Sequence, residues 1–415
     1  MSWVEKRLIA HSDLDAFYAS VEAMLNPDLR GKAIAVCGSV ENRHGIILAK
    51  SYPAKKAGVK TGMAGWEAQQ ACPGLILVPP QYDQYCKYSR LVRDIYERYT
   101  NIIESYGMDE CWLDITGSQL LFGNGEEIAR KIQDDVLREL GLTVSVGVAH
   151  NKTLAKLASD MNKPKGITVL GLDWREKVWP LPVSDLLFVG PATTSKLIRR
   201  GVHTIGDLAV IPPELMKIWF GKNGLMLSAF ANGTDTSRVM PFGYTSAPKS
   251  VGHGTTCSAD LRNPDEVWLV MLDLAQDIGR RLREHKLDAT GVDICVRGND
   301  LGFQMWQGRL EFPTQSPLYI SRRARQIFAS HYTWPRPIRA VTVRAISLIP
   351  HKQSYQLDFL GQMEAMKKRE RLEDSVYRLH ARFGAASVFP CSLLKPTPIP
   401  MDGRDLVRMP GLYYQ

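Results

Sequence analysis

No two cysteines in this chain are spaced C-x-x-C. The seven that occur, Cys37, Cys72, Cys86, Cys111, Cys257, Cys295 and Cys391, are odd in number and scattered. That pattern argues against a disulfide framework and a zinc site, and they read as small core hydrophobes in a reducing compartment. Long apolar runs are lacking too. The stretch around Leu8-Ile9-Ala10 is too short for a signal peptide, and no later run approaches the roughly 20 residues of a membrane span. A soluble, cytoplasmic protein with no membrane partner is expected. Acidic residues are in deficit, 43 against 52 Lys and Arg, a net charge of +9 that favours a polyanionic partner, nucleic acid ahead of a membrane surface. With 415 residues, one core is too few and roughly two to four domains are expected.

Against this background some of the acids stand in unexpected places. Asp13, in His11-Ser12-Asp13-Leu14-Asp15-Ala16-Phe17-Tyr18, and the pair Asp109-Glu110, in Tyr106-Gly107-Met108-Asp109-Glu110-Cys111-Trp112-Leu113, lie in apolar, strand-like runs. A carboxylate at the end of a buried strand is costly to desolvate unless it is paired or holds a metal. Two such sites supply three ligands for a pair of Mg²⁺ ions, the equipment of two-metal phosphoryl transfer, and a structural role for the same acids stands beside that reading. Asp15 precedes a helical run and reads as its cap, and Asp114 as a strand-end turn residue.

Strand and helix signals alternate through the first part of the chain. Strands around 8–10 (leading into Asp13), 33–37, 45–49, 75–78, 102–106, 111–115 and 143–148, with helices near 16–24, 82–99 and 126–140, give a βαββαβ-like order, the split motif of a ferredoxin-like sheet. The lobe at about 31–80 looks inserted into it. From Asn151 a capped helix, with Leu154, Leu157, Ala158 and Met161 on one face, leads to the basic loop Lys163-Pro164-Lys165-Gly166. Beyond it, Leu186 to Leu197 and Gly201 to Leu208 suggest short helices joined by glycine turns, either an ordinary helical hairpin or a helix-hairpin-helix that aims backbone amides at phosphate. The polar segment 243–250 reads as a linker to another α/β unit, with strands near 250–258, 291–297, 303–312 and 338–348 and helices near 265–285 and 318–330. Arg297, Arg309 and Arg344 fall within its alternating strands, where one face would suit a phosphate backbone.

Taken in order, these motifs resemble the Y-family (translesion) DNA polymerases over essentially the full length, closest to the bacterial polymerase IV group. Asp13-Leu14-Asp15-Ala16-Phe17-Tyr18 resembles the first metal motif, Ser51 to Val59 the triphosphate-binding fingers motif, Met108-Asp109-Glu110 the second metal motif, and Asn162 to Gly166 the late-palm lysine loop. The resemblance implies an α+β multidomain fold: a ferredoxin-like palm (1–170) with small fingers inserted at about 31–80, and a helical thumb (171–243) carrying the hairpin. An α/β little finger (244–352) and a C-terminal tail (353–415) follow. It further implies a low-fidelity, template-directed DNA polymerase using two Mg²⁺ ions. Asp13 and Asp109 would hold both ions, Glu110 the one that activates the primer 3′-hydroxyl, and the Leu14 carbonyl the nucleotide-bound one. Tyr52, Lys55 and Lys163 would contact the triphosphate, and Tyr18 would be the steric gate against a 2′-hydroxyl. Primer-template DNA, deoxynucleoside triphosphates and a sliding clamp are the implied partners, with the protein a monomer. In the tail, Tyr355-Gln356-Leu357-Asp358-Phe359-Leu360 resembles a clamp-docking peptide, with Gln356, Leu357, Phe359 and Leu360 as its contacts.

Four positions depart from the family pattern: Lys55 where Arg is usual, Pro53 where Glu is frequent, Gly107 for a frequent Ser, and Phe188 at the hairpin's first Gly. The rival readings are a nucleotidyl cyclase, which needs neither hairpin nor basic last domain, and a catalytically inactive DNA-binding accessory protein.

Overall fold

The computed structural model describes residues 7–39, 45–351, 362–384, 387–394 and 398–399. They form two compact units, the first running to Thr245 and the second beginning at Ser246.

In the first unit, β1 (Ile9–Leu14) leads into α1 (Phe17–Leu25). A lobe follows with β2 (Ile34–Cys37), β3 (Ile47–Lys50), α2 (Tyr52–Lys56), α3 (Gly65–Ala71) and β4 (Ile76–Val78). Its sheet has the order β3-β2-β4 and its own small core around Ala35, Ile47, Ala54, Val59 and Ala68. The chain returns through α4 (Tyr82–Tyr96), β5 (Ile103–Ser105), β6 (Glu110–Asp114), α5 (Gln119–Phe122), α6 (Gly125–Leu140), β7 (Val144–Ala149), α7 (Lys152–Met161) and β8 (Ile167–Val169). The five-stranded sheet has the order β5-β6-β1-β7-β8, with β1 antiparallel to both neighbours. This is the ferredoxin-like arrangement expected for the palm, extended by β8, which runs parallel to β7.

Side-chain alternation along β1 gives the sheet two different faces. Ala10 and Leu14 pack with Val92, Ile95 and Ile132 of α4 and α6, while Ile9 joins Trp112 and α7 residues Leu154 and Ala158. His11 and Asp13 share the parity of Ile9, so they too face α7. That helix begins at Asn151, whose side chain accepts from the Leu154 amide at 2.8 Å. It lies close on the sheet at Gly147, where a Cβ would come within 2.1 Å of the Ala155 carbonyl oxygen.

Helices α8 (Trp174–Val178), α9 (Pro191–Ile198), α10 (Ile205–Ala209), α11 (Pro213–Phe220) and α12 (Lys222–Ala231) complete this unit. At the hairpin, Phe188 takes φ 67°, the left-handed conformation glycine ordinarily fills, with its ring 6.1 Å from that of Phe230. A bulky side chain thus occupies the left-handed position where the resemblance places glycine.

The second unit comprises β9 (Ser250–Leu261), α13 (Pro264–His285), β10 (Leu287–Gly298), β11 (Phe303–Thr314), α14 (Pro317–His331), β12 (Ile338–Pro350) and α15 (Gln362–Phe383). Its antiparallel sheet has the order β11-β10-β12-β9. Val292, Ile294, Val341 and Val343 face α13 and α14 in one core. By strand parity and register, Arg297, Arg309 and Arg344 all lie on the opposite face, away from α13 and α14, where Arg344 pairs with Asp293 at 2.8 Å.

The spacing of Leu372, Val376, Leu379 and Phe383 predicts a tail helix with an ordinary packing face, and the structure departs from that expectation. Leu372, Leu379 and Phe383 are exposed. Apart from the buried Met366, the docked side of α15 is polar: Arg283 pairs with Glu373 and Asp374, Thr314 donates to Glu370 at 2.6 Å, and Ser316 donates to Glu373 at 2.9 Å. The clamp-like segment 355–360 lies outside the described residues.

Candidate active site

Strand pairing brings the sequence-separated acids together. Asp13 of β1 is the direct cross-strand partner of Glu110 of β6, and the Leu14 amide donates to the Asp109 carbonyl at 2.9 Å. Like charges directly opposite on a sheet repel, so the pair needs compensation. It comes from α7 and the loop after it. Lys156 Nζ bridges Asp13 Oδ2 (3.2 Å) and Glu110 Oε1 (2.9 Å), and Lys163 Nζ reaches Asp13 Oδ2 at 2.6 Å. Asp160 holds both lysines from the far side, at 3.1 and 2.7 Å.

The electrostatics follow from crowding. Burial, then Glu110, raise the Asp13 carboxyl above its ordinary value even with two ammonium groups beside it. Burial, then Glu110 and Asp13, push Asp109 up to about 6. Lys163 is half-buried, but Asp13 and Asp160 keep its ammonium above the usual range. Among the described residues no three acidic, His or Cys side chains already converge as a metal ligand shell. The donor set nevertheless fits hard divalent cations: oxygen ligands only, mutually repelling, with lysine ammoniums already drawn onto the oxygens that would take the positive charge.

Beneath this cluster lies His11, fully buried and held down to about 3 by burial and by Lys156. The Ser159 hydroxyl donates to the Lys156 carbonyl, so the ring's Nδ1–H donates to Ser159 at 2.8 Å. Nε2 is left with no hydrogen-bond partner among the described residues, 3.6 Å from Glu110 Oε2.

Tyr18 stands on α1, its hydroxyl donating to Met108 Sδ at 3.3 Å and its ring stacked on Tyr85 with centroids 4.2 Å apart and planes within 8°. Tyr85 is itself fixed by donating to the buried Glu22. Burial, then Asp109, push the Tyr18 phenol up to about 12, so it stays protonated. Tyr52 of α2 donates to Asp15 at 3.2 Å, whereas Lys55 is exposed and lies over the Tyr52 ring, 5.7 Å from its centroid. Gly107 takes φ 111° in the turn before Asp109, a conformation that would strain the usual Ser.

The structure thus joins Asp13, Glu110 and Lys163 in one cluster, with Asp109 coupled to it, sets Tyr18 beside Met108, and leaves Lys55 apart from the acids. One role differs from the sequence reading. Asp15 is no helix cap: α1 begins at Ala16 with no side-chain cap, and the Asp15 carboxylate instead accepts from Tyr52, Thr143, Ser145 and the Lys165 amide. Asp114, by contrast, is the turn residue expected, accepting from the Thr116 amide at 3.1 Å. Lys156 and Asp160 were missed, although their i, i+4 spacing on the polar side of α7, just ahead of Lys163, was the available signal.

Comparison with known proteins agrees with this arrangement. Residues 12–160 match the model of the impB/mucB/samB family and residues 248–359 that of the impB/mucB/samB family C-terminal domain. The chain is 44% identical over 384 residues to a DNA polymerase IV of Acetivibrio thermocellus, covering 92% of this chain and 96% of that protein. A DNA polymerase IV 1 of Bacillus subtilis is 35% identical, covering 94% of each chain. Among solved structures, a Y-family DNA polymerase chimera superposes with a TM-score of 0.73 at 24% identity, covering 83% of this chain and 99% of that one. Among the described residues no helix is long and apolar enough to cross a membrane. With both of its units matched in order and the acidic cluster inside the first, the chain belongs to the impB/mucB/samB family and has the Y-family polymerase fold.

Proposed function

We propose that this translesion DNA polymerase adds deoxynucleotides to a primer 3′-hydroxyl at the cluster of Asp13, Asp109 and Glu110, with two Mg²⁺ ions as its cofactors. The observation that carries the reading is the cross-strand pair Asp13 and Glu110, next to Asp109 and neutralised by Lys156 and Lys163. When bound, the ions supply the Lewis acidity that activates the hydroxyl and offsets the negative charge of the reacting phosphate. Asp13 and Asp109 would hold both, Glu110 the one serving the hydroxyl, and the Leu14 carbonyl the one serving the nucleotide.

The chain's own groups do the rest. Lys163 and Tyr52 bind the triphosphate, and the ammonium of Lys163 offsets charge on the departing pyrophosphate. Lys55 adds a point charge where a guanidinium would give a fork. Tyr18, held by its stack on Tyr85, excludes a ribose 2′-hydroxyl by volume. The small lobe around β2, β3 and β4 covers the nascent pair loosely, which weakens shape selection and fits a polymerase that accepts damaged templates. Arg297, Arg309 and Arg344 offer DNA phosphates a basic sheet face, and the α9 hairpin a backbone contact.

In this reading the palm with its inserted fingers ends near residue 170, the thumb near 243 and the little finger near 352. The protein works as a cytoplasmic monomer and docks a sliding clamp through Gln356, Leu357, Phe359 and Leu360.

Primer extension with Mg²⁺ and all four deoxynucleotides tests the core of the proposal. Asp109→Ala should abolish extension while leaving primer-template affinity nearly intact. Extension near the unmutated rate would remove Asp109 from the reacting centre.

A further inference from the structure

We propose that Asp15 is a positioning residue for the incoming nucleotide, clasping the Tyr52 helix and the Lys163–Gly166 loop to the palm sheet. The inference rests on Tyr52 and Lys163 being triphosphate contacts, as proposed above.

The Asp15 side chain is 2% exposed and makes no ion pair among the described residues, yet both of its oxygens are fully engaged. Oδ1 accepts from the Tyr52 hydroxyl at 3.2 Å and from Ser145 Oγ at 2.7 Å. Oδ2 accepts from Thr143 Oγ1 at 3.0 Å and from the Lys165 amide at 2.9 Å. The Asp15 amide donates to the Thr143 carbonyl at 2.9 Å, which fixes the residue to the strand beside it. A buried carboxylate is tolerated when several donors converge on it, and these come from three separate places: the inserted lobe, the palm sheet at β7, and the loop after α7. None of the four donors belongs to α1, so support of that helix explains none of them.

What those three places carry gives the clasp its meaning. Lys163 lies two residues before the clasped amide and sends its ammonium to Asp13. The loop is tight: Lys165 is left-handed at φ 59°, and a Cβ on Gly166 would strike the Asn162 carbonyl oxygen at 1.8 Å. Holding the Lys165 amide therefore fixes where Lys163 stands relative to the acids. The Tyr52 hydroxyl has a single proton, for which Asp15 and a phosphate oxygen are alternative acceptors. The loop side of the clasp accordingly carries the larger share of the effect.

Two substitutions separate this role from simple packing. Asp15→Asn can keep all four contacts. Its oxygen stays on the Lys165 N–H, which cannot invert, while its amide turns to Tyr52 and Ser145, whose hydroxyl oxygens can accept. Asp15→Ala removes every acceptor. Single-nucleotide kinetics should show KM for the deoxynucleotide rising roughly tenfold in Asp15→Ala, with kcat changed less and primer-template Kd unchanged. Asp15→Asn should recover KM to within about threefold of the unmutated protein. Asp15→Ser, too short to reach the Lys165 amide, carries the same expectation as Ala if the Ala variant does not fold. An unchanged KM in Ala or Ser with a lowered melting temperature would overturn the proposal and leave Asp15 purely structural, and so would failure of Asn to recover KM. Tyr52→Ala and Lys163→Met, measured alongside, isolate the underlying reading. If they raise KM and Asp15→Ala does not, only the clasp fails; if they leave KM unchanged, the triphosphate assignment fails and the clasp with it.

Discussion

Asp109→Asn should inactivate the enzyme and, without metal, make it more stable. In the folded protein the Asp109 carboxyl is raised from 3.8 to about 6 by burial and by the neighbouring Glu110 and Asp13. A rise of about two units at about 1.4 kcal/mol each means that ionised Asp109 costs the folded state about 3 kcal/mol at pH 8. The isosteric amide removes that charge, and with local rearrangement discounted a gain of about 1–2 kcal/mol is expected. For a unit of this size the melting temperature should then rise by roughly 2–8 °C. The sign fixes the pH dependence. Below 3.8 the carboxyl is protonated in both folded and unfolded chains, so the variant gains nothing over the unmutated protein. Its advantage should open between 3.8 and about 6 and be complete at pH 8. Thermal unfolding in EDTA at pH 4, 6 and 8 measures this, and added Mg²⁺ should stabilise the unmutated protein more than the variant. A variant equally or less stable at pH 8, or an advantage independent of pH, would refute the view that Asp109 is held against repulsion for the sake of binding cations.

Two further outcomes are expected. Tyr18→Ala should increase ribonucleotide incorporation relative to deoxynucleotide, and Tyr85→Leu, which removes the ring stacked beneath Tyr18, should do so less; single-nucleotide kinetics with paired ribo- and deoxynucleotides decide it, and an unchanged ratio in Tyr18→Ala would return that ring to packing. Replacing Leu357 and Phe359 by Ala should remove stimulation by a sliding clamp and leave clamp-free extension unchanged, because a tethering peptide raises effective concentration at the primer end without touching the site; stimulation that survives would make the segment a linker.

The parts of the molecule legible in the sequence are those whose signal is local. A short apolar run marks the start of β1, alternating apolar residues mark β7, and Asn151 marks the start of α7. Asp109-Glu110 stands out because adjacent acids in a strand demand an explanation from a few residues alone. What the sequence conceals is register. That Asp13 faces Glu110 follows from the pairing of β1 with β6, and that Lys156 bridges them follows from α7 lying across that face at Gly147. Neither relation leaves a mark in the spacing of the residues concerned. The tail helix errs in the opposite direction: its apolar stripe is the stronger local pattern, yet Arg283 and its two acidic partners hold it by the polar side.

Asp15 shows why local rules fail at such sites. An Asp just ahead of a helical run looks the same whether it caps that helix or not, since the capping preference depends on one short-range hydrogen bond. Here four donors, drawn from Tyr52 to Lys165, compete for the same two oxygens, and together they outweigh a single orphan amide. Ala16 consequently enters α1 with left-handed backbone and no side-chain cap. The chain gives up a cap worth about 1 kcal/mol, and one buried carboxylate instead joins α2 and the loop after α7 to the five-stranded sheet. A sacrifice of local stability for long-range placement is expected where geometry serves chemistry. It is also why a residue whose partners lie far along the chain is the kind that sequence patterns most easily misread.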